Sequence, residues 1–259
     1  MFAKDLMHLY FSSPEAISSP EFCPATEALL DKYYHTGPDR FRDEKARSNA
    51  FVLPLLPKIR ADVEAAEDPV YAAMQYAVLG NYIDFSALHG EVSFETLENL
   101  LEKARTLSLD RNTYRKFCAD LQAGKKLLYL TDNAGEIGFD RVFAEVLQQH
   151  YPHLQITFCV RGGPANNDAT REDAAAVGVP FPVIDNGNSV PGTKPELLSA
   201  AAKQAMMDAD VILSKGQGNV ETLFGCGYNI YYLFLVKCTR FIQIFQREKL
   251  SPMLIREQK

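Results

Sequence analysis

The sequence predicts an α/β fold: a three-layer α/β/α sandwich around a mostly parallel, Rossmann-like sheet, with a helical N-terminal subdomain. Three observations carry this reading. Up to about Leu121 apolar residues recur at intervals of three and four, the period of a helix with one buried face. From Lys126 onward short apolar, β-branched runs alternate with helical stretches, the pattern of parallel strands joined by covering helices. The 259 residues, 47% hydrophobic and 23% charged, also suffice for a continuous core without disulfide or metal staples. The change of period divides the chain into a helical subdomain, 1–124, and an α/β domain, 125–259.

In the first part the helical pattern runs over Ala25–Tyr34, Phe41–Glu67, Val70–Ile83, Phe94–Leu107 and Asn112–Ala123. Pro54 and Pro57 should kink or divide the second, because a proline removes an amide donor and clashes with the preceding turn. Asp110 is placed to cap the last helix and Gly124 to stop it.

In the second part strands are expected at 126–131, 155–160, 181–184, 210–213 and 230–236, and helices at Ile137–Gln149, Arg171–Val177 and Pro195–Met207. Open sheets of this kind bind ligands in the crevice beyond the carboxyl ends of their strands, so the residues after each run are where chemistry belongs.

Composition removes several classes. Twenty-seven basic against thirty-three acidic residues leave a net charge of −6, which disfavours a nonspecific nucleic-acid binder. Five cysteines, at 23, 118, 159, 226 and 238, form no C-x-x-C pair, which argues against a disulfide framework and a thiolate zinc site. Lys4, Asp5 and His8 interrupt the start, so no secretion signal is expected. The run Ile230–Val236 is far shorter than the ~20 residues of a membrane-spanning helix. A cytoplasmic protein with neither nucleic acid nor membrane as partner is the expectation.

Three loops concentrate polar residues at strand ends. The first is Asp132-Asn133-Ala134-Gly135-Glu136, where two oxygen-bearing side chains precede a helix. They could hold a cation while the amides of Ala134 and Gly135 face an anion, or they could simply cap the helix. The second is Arg161–Thr170, in which Asp168 would reach the same crevice or cap the next helix. Carboxylate, amide and carboxylate oxygens form a hard ligand set suited to Mg²⁺ or Mn²⁺. The third, Ser214–Glu221, sets Lys215 beside Gly216 and Gly218, allowing close backbone approach and a point charge for phosphate. It matches neither the P-loop nor the dinucleotide spacing. Lys237 ends the last expected strand at the same rim. In the helical part Gly80 invites close packing, and Asn81 and Asp84 share a helix face.

In this order, Gly80-Asn81-Tyr82-Ile83-Asp84, Asp132–Glu136, Asn167-Asp168-Ala169-Thr170 and Ser214–Glu221 resemble the motifs of the damage-control phosphatase family, once called domain of unknown function eighty-nine. The resemblance implies an α/β/α phosphatase with a helical N-terminal part, acting on small phosphorylated metabolites with a divalent cation, Mn²⁺, Co²⁺, Ni²⁺ or Mg²⁺. Carried over by position, Asp132, Asn133 and Asp168 are metal ligands, Glu136, Asp84 and Lys215 are catalytic, and Asn81, Lys215, Gly216 and Lys237 bind substrate. The cysteine pair of many prokaryotic members is reduced here to Cys23, and the Arg-Thr-x-Lys motif of the sugar-phosphate branch is absent, Leu235-Val236-Lys237 standing before Cys238.

The chemistry expected of such a site is attack on phosphorus by water made acidic by the cation, with Glu136 or Asp84 orienting or deprotonating the water. Phosphate monoesters such as sugar phosphates or phosphopantetheine are the expected substrates. Two other classes compete: an S-adenosylmethionine-dependent carboxyl methyltransferase, and a non-catalytic metabolite sensor. The oligomeric state is left open by the sequence.

Overall fold

The computed structural model describes residues 1–15, 17–87 and 101–257, without the side chains of 83–87. Six strands, β1 (Lys126–Leu130), β2 (Gln155–Val160), β3 (Val183–Asp185), β4 (Val211–Lys215), β5 (Ile230–Leu235) and β6 (Pro252–Glu257), form one sheet in the order β3-β2-β1-β4-β5-β6. All neighbours are parallel except β5 and β6. The antiparallel edge strand β6 was not expected: it begins at Pro252 and buries only Leu254, so its run carries little apolar signal.

Side-chain alternation along the central strands sorts the core into two layers. Leu127 and Tyr129 of β1, and Val211 and Leu213 of β4, face one core; Leu128, Leu130 and Ile212 face the other. The first core is covered by α3 (Arg42–Val52), α4 (Leu56–Glu64), α5 (Pro69–Ala87), α6 (Arg111–Ala123), α7 (Glu136–His150) and α8 (Arg171–Ala176). The second is covered by α9 (Ala200–Asp208), α10 (Gln217–Leu223) and α11 (Thr239–Phe245). The sandwich is therefore the α/β/α arrangement expected. The first core runs without interruption from Val52 to Leu254, so the helical segment and the sheet share it.

Local rules account for most boundaries. Pro54 lies in a 3-10 turn, 53–55, and Pro57 in the first turn of α4, which divides the long helical pattern where the prolines stand. The Asp110 side chain accepts from the Thr113 amide, as a cap should. Helix α2 (Ser19–Tyr34) starts earlier than expected because Ser18 and Glu21 form a capping box and Pro20 sits in the first turn, so Pro24 is carried inside. The expected helix 195–207 is interrupted at Leu198; α9 begins afresh behind Ser199, which accepts from the Ala202 amide. Helix α1 (Phe2–Ser12) buries none of its residues, and the sequence pattern did not call for it. The expected helix Phe94–Leu107 falls largely outside the described residues, with helix seen over 101–106.

Helix α5 is buried on nearly every side between Val70 and Asn81, lying against α7. Gly80 makes that approach possible: a Cβ there would stand 3.0 Å from Glu136 Cγ and 3.3 Å from Phe139 Cδ2. Among the described residues no helix is long and apolar enough to cross a membrane.

Candidate active site

Strand order reverses between β1 and β4, because the chain moves outward to β2 and β3 and returns to β4 on the other side. The crevice at the carboxyl ends of such a pair is where open α/β sheets place ligands. Register brings the expected residues together there. Leu130 pairs with Ser214 and with Cys159, so two steps further Asp132 lies between Gly216 of one neighbour and Arg161 of the other.

Main-chain bonds close the two loops onto each other. The Ala169 amide donates to Asp132 O at 2.8 Å and the Ala134 amide to Asn167 O at 2.9 Å, while Asn133 and Asp168 form an isolated antiparallel bridge. Asp132, Asn133 and Asp168 thus meet at one point, each less than a tenth exposed. None of them caps a helix through its side chain. Helix α7 starts at Gly135 with no side-chain cap, and α8 is capped by Thr170 and Asp173. The capping alternative for both loops is therefore set aside. The amides of Ala134 and Gly135 are not free for an anion as expected: the first serves Asn167, and the second donates to Asn49 Oδ1 at 2.7 Å.

Two side-chain amides tie two carboxylates. Asn81 Nδ2 donates to Asp132 Oδ2 at 2.9 Å and to Glu136 Oε2 at 2.7 Å; Asn133 Nδ2 donates to the same oxygens at 2.8 and 2.9 Å. Glu136 Oε1 accepts from Lys215 Nζ at 2.8 Å. Lys215 does not present its ammonium to the crevice, as the sequence suggested. It is fully buried, on the same side of β4 as Leu213, and its three N–H bonds go to Ala77 O, Glu136 and Asp140.

Electrostatics follow from this layout. Burial raises the Asp132 carboxyl well above its ordinary value, and the neighbouring charges of Glu136 and Asp168 raise it further. Burial opposes ionisation of Glu136 too, but Lys215 and the Asn81 hydrogen bond outweigh it and hold that carboxyl low. Asp140 is pushed up to about 6 by burial, against the pull of Lys215. Lys237, half-buried just past β5, lends positive charge to both Asp132 and Glu136. Asp84 is in the last turns of α5, where side chains lie outside the described residues.

Arg161 is the residue that sequence reasoning passed over. Its buried guanidinium donates from Nε to Asp168 Oδ2 at 2.5 Å and from Nη2 to Asn219 Oδ1 at 3.2 Å, and Asn219 in turn donates to Thr131 O and Lys215 O. Its only sequence signal was position, one residue beyond β2 and level with Asp132.

A divalent cation fits this donor set. Among the described residues no three His, Cys, Asp or Glu side chains gather as a ligand cluster, and a cation held by Asp132, Asn133 and Asp168 would meet two carboxylates and an amide. Asp132 is a buried carboxylate crowded by two others, the charge imbalance that a cation would relieve, and all the donors are hard oxygens.

Residues 17–250 match the family model of the damage-control phosphatase ARMT1-like domain. The chain is 32% identical over 204 residues to a damage-control phosphatase of Archaeoglobus fulgidus, covering 77% of this chain and 69% of that one. It is also 32% identical over 199 residues to a damage-control phosphatase of Pyrococcus horikoshii, covering 76% and 65%. The crystal structure of a DUF89 family protein from Pyrococcus horikoshii superposes with a TM-score of 0.82 at 27% identity, over 99% of this chain and 87% of the other.

Proposed function

Because this chain belongs to the damage-control phosphatase family with an ARMT1-like domain, we propose that it is a divalent-cation-dependent phosphatase releasing phosphate from monoesters of small, damaged metabolites. The observation that carries the reading is the meeting of Asp132, Asn133 and Asp168 from two loops at the sheet's switch point, around a carboxylate already crowded with negative charge.

In this reading Asp132, Asn133 and Asp168 hold the cation, Mn²⁺, Co²⁺, Ni²⁺ or Mg²⁺. When bound, it supplies charge neutralisation at a phosphate oxygen and acidifies a water. Arg161 fixes the Asp168 carboxylate by its short charged hydrogen bond. Asn81 and Asn133 hold Asp132 Oδ2, which fixes the carboxylate's rotation. Lys237 sets positive charge at the rim where a phosphate dianion would arrive, lowering its electrostatic barrier to entry. Glu136 has both oxygens engaged by donors, which leaves Asp84 as the other candidate for accepting the water's proton. Sugar phosphates and phosphopantetheine are the substrate classes to try first. Methyl transfer and non-catalytic sensing have no feature of this site in their favour.

The deciding experiment is phosphate release from a panel of sugar phosphates, phosphopantetheine and nucleotides under each of the four cations. Release that chelator stops, and that Asp168→Ala abolishes while the fold persists, is the expected result. Release unaffected by chelator, or none from any substrate with any cation, overturns the proposal.

A further inference from the structure

Beneath the crevice lies a chain of buried polar groups that a phosphatase site does not obviously require. Tyr129 Oη donates to Asp140 Oδ1 at 2.7 Å, Lys215 Nζ donates to that same oxygen, and Lys215 reaches across to Glu136 Oε1. Every member is essentially inaccessible to water. Burying two carboxylates and an ammonium carries a large desolvation penalty, and apolar side chains of similar volume would pack there with less. A lysine has three donors and no acceptor, and these three are used up on protein atoms. No N–H remains to meet a substrate phosphate.

What Lys215 does touch is Glu136, and Glu136 decides how two amides lie. Asp132 Oδ2 and Glu136 Oε2 are both acceptors, so only the nitrogen of a side-chain amide can face them; an amide turned the other way would set oxygen against two carboxylates. Asn81 and Asn133 each obey this. With its nitrogen so committed, Asn81 Oδ1 is left buried with no hydrogen-bond partner among the described residues. In Asn133 the same constraint turns the nitrogen to the two carboxylates and the oxygen away from them.

We propose that Lys215, braced by Asp140 and Tyr129, is a positioning residue: it pins Glu136 so that Asn133 turns its side-chain oxygen, not its nitrogen, to the cation. Lys215 then governs cation affinity from underneath and makes no contact with substrate. The inference rests on the phosphatase reading only for the presence of a cation at Asp132, Asn133 and Asp168.

The two possible roles of the lysine charge give opposite signs. By Coulomb's law alone, removing a buried positive charge beside a cation site tightens cation binding; removing a positioning group loosens it. Binding of Mn²⁺ by calorimetry, without substrate, separates them. Lys215→Met, checked for fold by circular dichroism, should bind Mn²⁺ about 10-fold to 100-fold more weakly, the usual range for loss of a group that orients a ligand. At saturating Mn²⁺ its KM for a phosphate monoester should stay at the wild-type value. A matched pair keeps the test alive if that variant does not fold. Asp140→Ala and Asp140→Asn remove the same charge, but only asparagine keeps an acceptor for Lys215. The alanine variant should lose Mn²⁺ affinity about tenfold, and asparagine should restore most of it. Unchanged or tighter Mn²⁺ binding in Lys215→Met, a raised KM at saturating Mn²⁺, or equal losses in the two Asp140 variants overturns the inference. Wild-type protein that binds Mn²⁺ and releases no phosphate overturns the phosphatase reading alone; wild-type protein that binds no Mn²⁺ overturns both.

Discussion

The Asp132 carboxylate occupies the space that a side chain at residue 216 would need: a Cβ built on Gly216 falls 1.9 Å from Asp132 Oδ2. Gly216 also has φ +78° and ψ 161°, a conformation open in practice to glycine alone. Gly216→Ala should therefore lower unfolding stability by about 1–3 kcal/mol through backbone strain. It should also displace Asp132, reducing cation-dependent phosphate release on the order of 100-fold. Urea unfolding and phosphate release measured on one preparation would check both effects.

Asp132 sits among like charges, so neutralising it should not harm the empty protein. Asp132→Asn keeps an oxygen to accept from Asn81 and Asn133 and removes repulsion with Glu136 and Asp168. In chelator its melting temperature should equal or exceed that of the wild type. With Mn²⁺ at ~100 times its dissociation constant the wild type should gain about 2.7 kcal/mol and the variant nothing. Differential scanning calorimetry with and without the ion reads the contrast.

Arg161 and Asp168 form a buried pair, with side chains 1% and 6% exposed. Removing the guanidinium breaks a buried ion pair and takes its charged hydrogen bond from Asp168, so Arg161→Met should destabilise the fold by about 3–5 kcal/mol. The midpoint of urea unfolding should fall with the slope unchanged.

Glu145 of α7 bonds Arg60 of α4 and Arg141 of its own helix. Burial works to raise its carboxyl, but the two guanidinium groups prevail and hold it below its ordinary value of 4.5. A carboxyl depressed on folding contributes stability that is complete above its unfolded pKa and disappears as pH falls through the folded one. Glu145→Gln should thus cost about 1–3 kcal/mol at pH 7, and the gap from wild type should close as pH drops below 4.5. Denaturation curves across that range decide it.

Burial pushes the Cys159 thiol up to about 12. At pH 8 the thiolate would be about one part in ten thousand, so iodoacetamide should leave Cys159 unmodified in the native protein and label it once unfolded. Peptide mass spectrometry after brief alkylation reads the site directly.

Much of this architecture was legible because its signals are local. Short apolar runs marked β1, β2, β4 and β5, and Asp110 and the prolines marked helix ends. The loops after β1 and β2 were recognisable as partners because parallel neighbours deliver their carboxyl ends to one edge. What could not be read depends on distant groups. The parity that turns Lys215 toward the α5 and α7 side was visible in Leu213 and Val211, but its acceptors lie 75, 79 and 138 residues away. Arg161 gave no local hint that it would grip Asp168, since the grip depends on how the loop folds back along β1. Edge strand β6 and helix α1 bury too little apolar surface to announce themselves.

The main-chain bonds between Asp132 and Ala169, and between Ala134 and Asn167, have one further implication. The spacing of Asp132, Asn133 and Asp168 is written into peptide groups, which every residue type except proline supplies alike. An exposed neighbour in the same loop such as Pro164 is therefore free to vary, and a lineage could exchange it without moving the Asp132, Asn133 and Asp168 side chains apart.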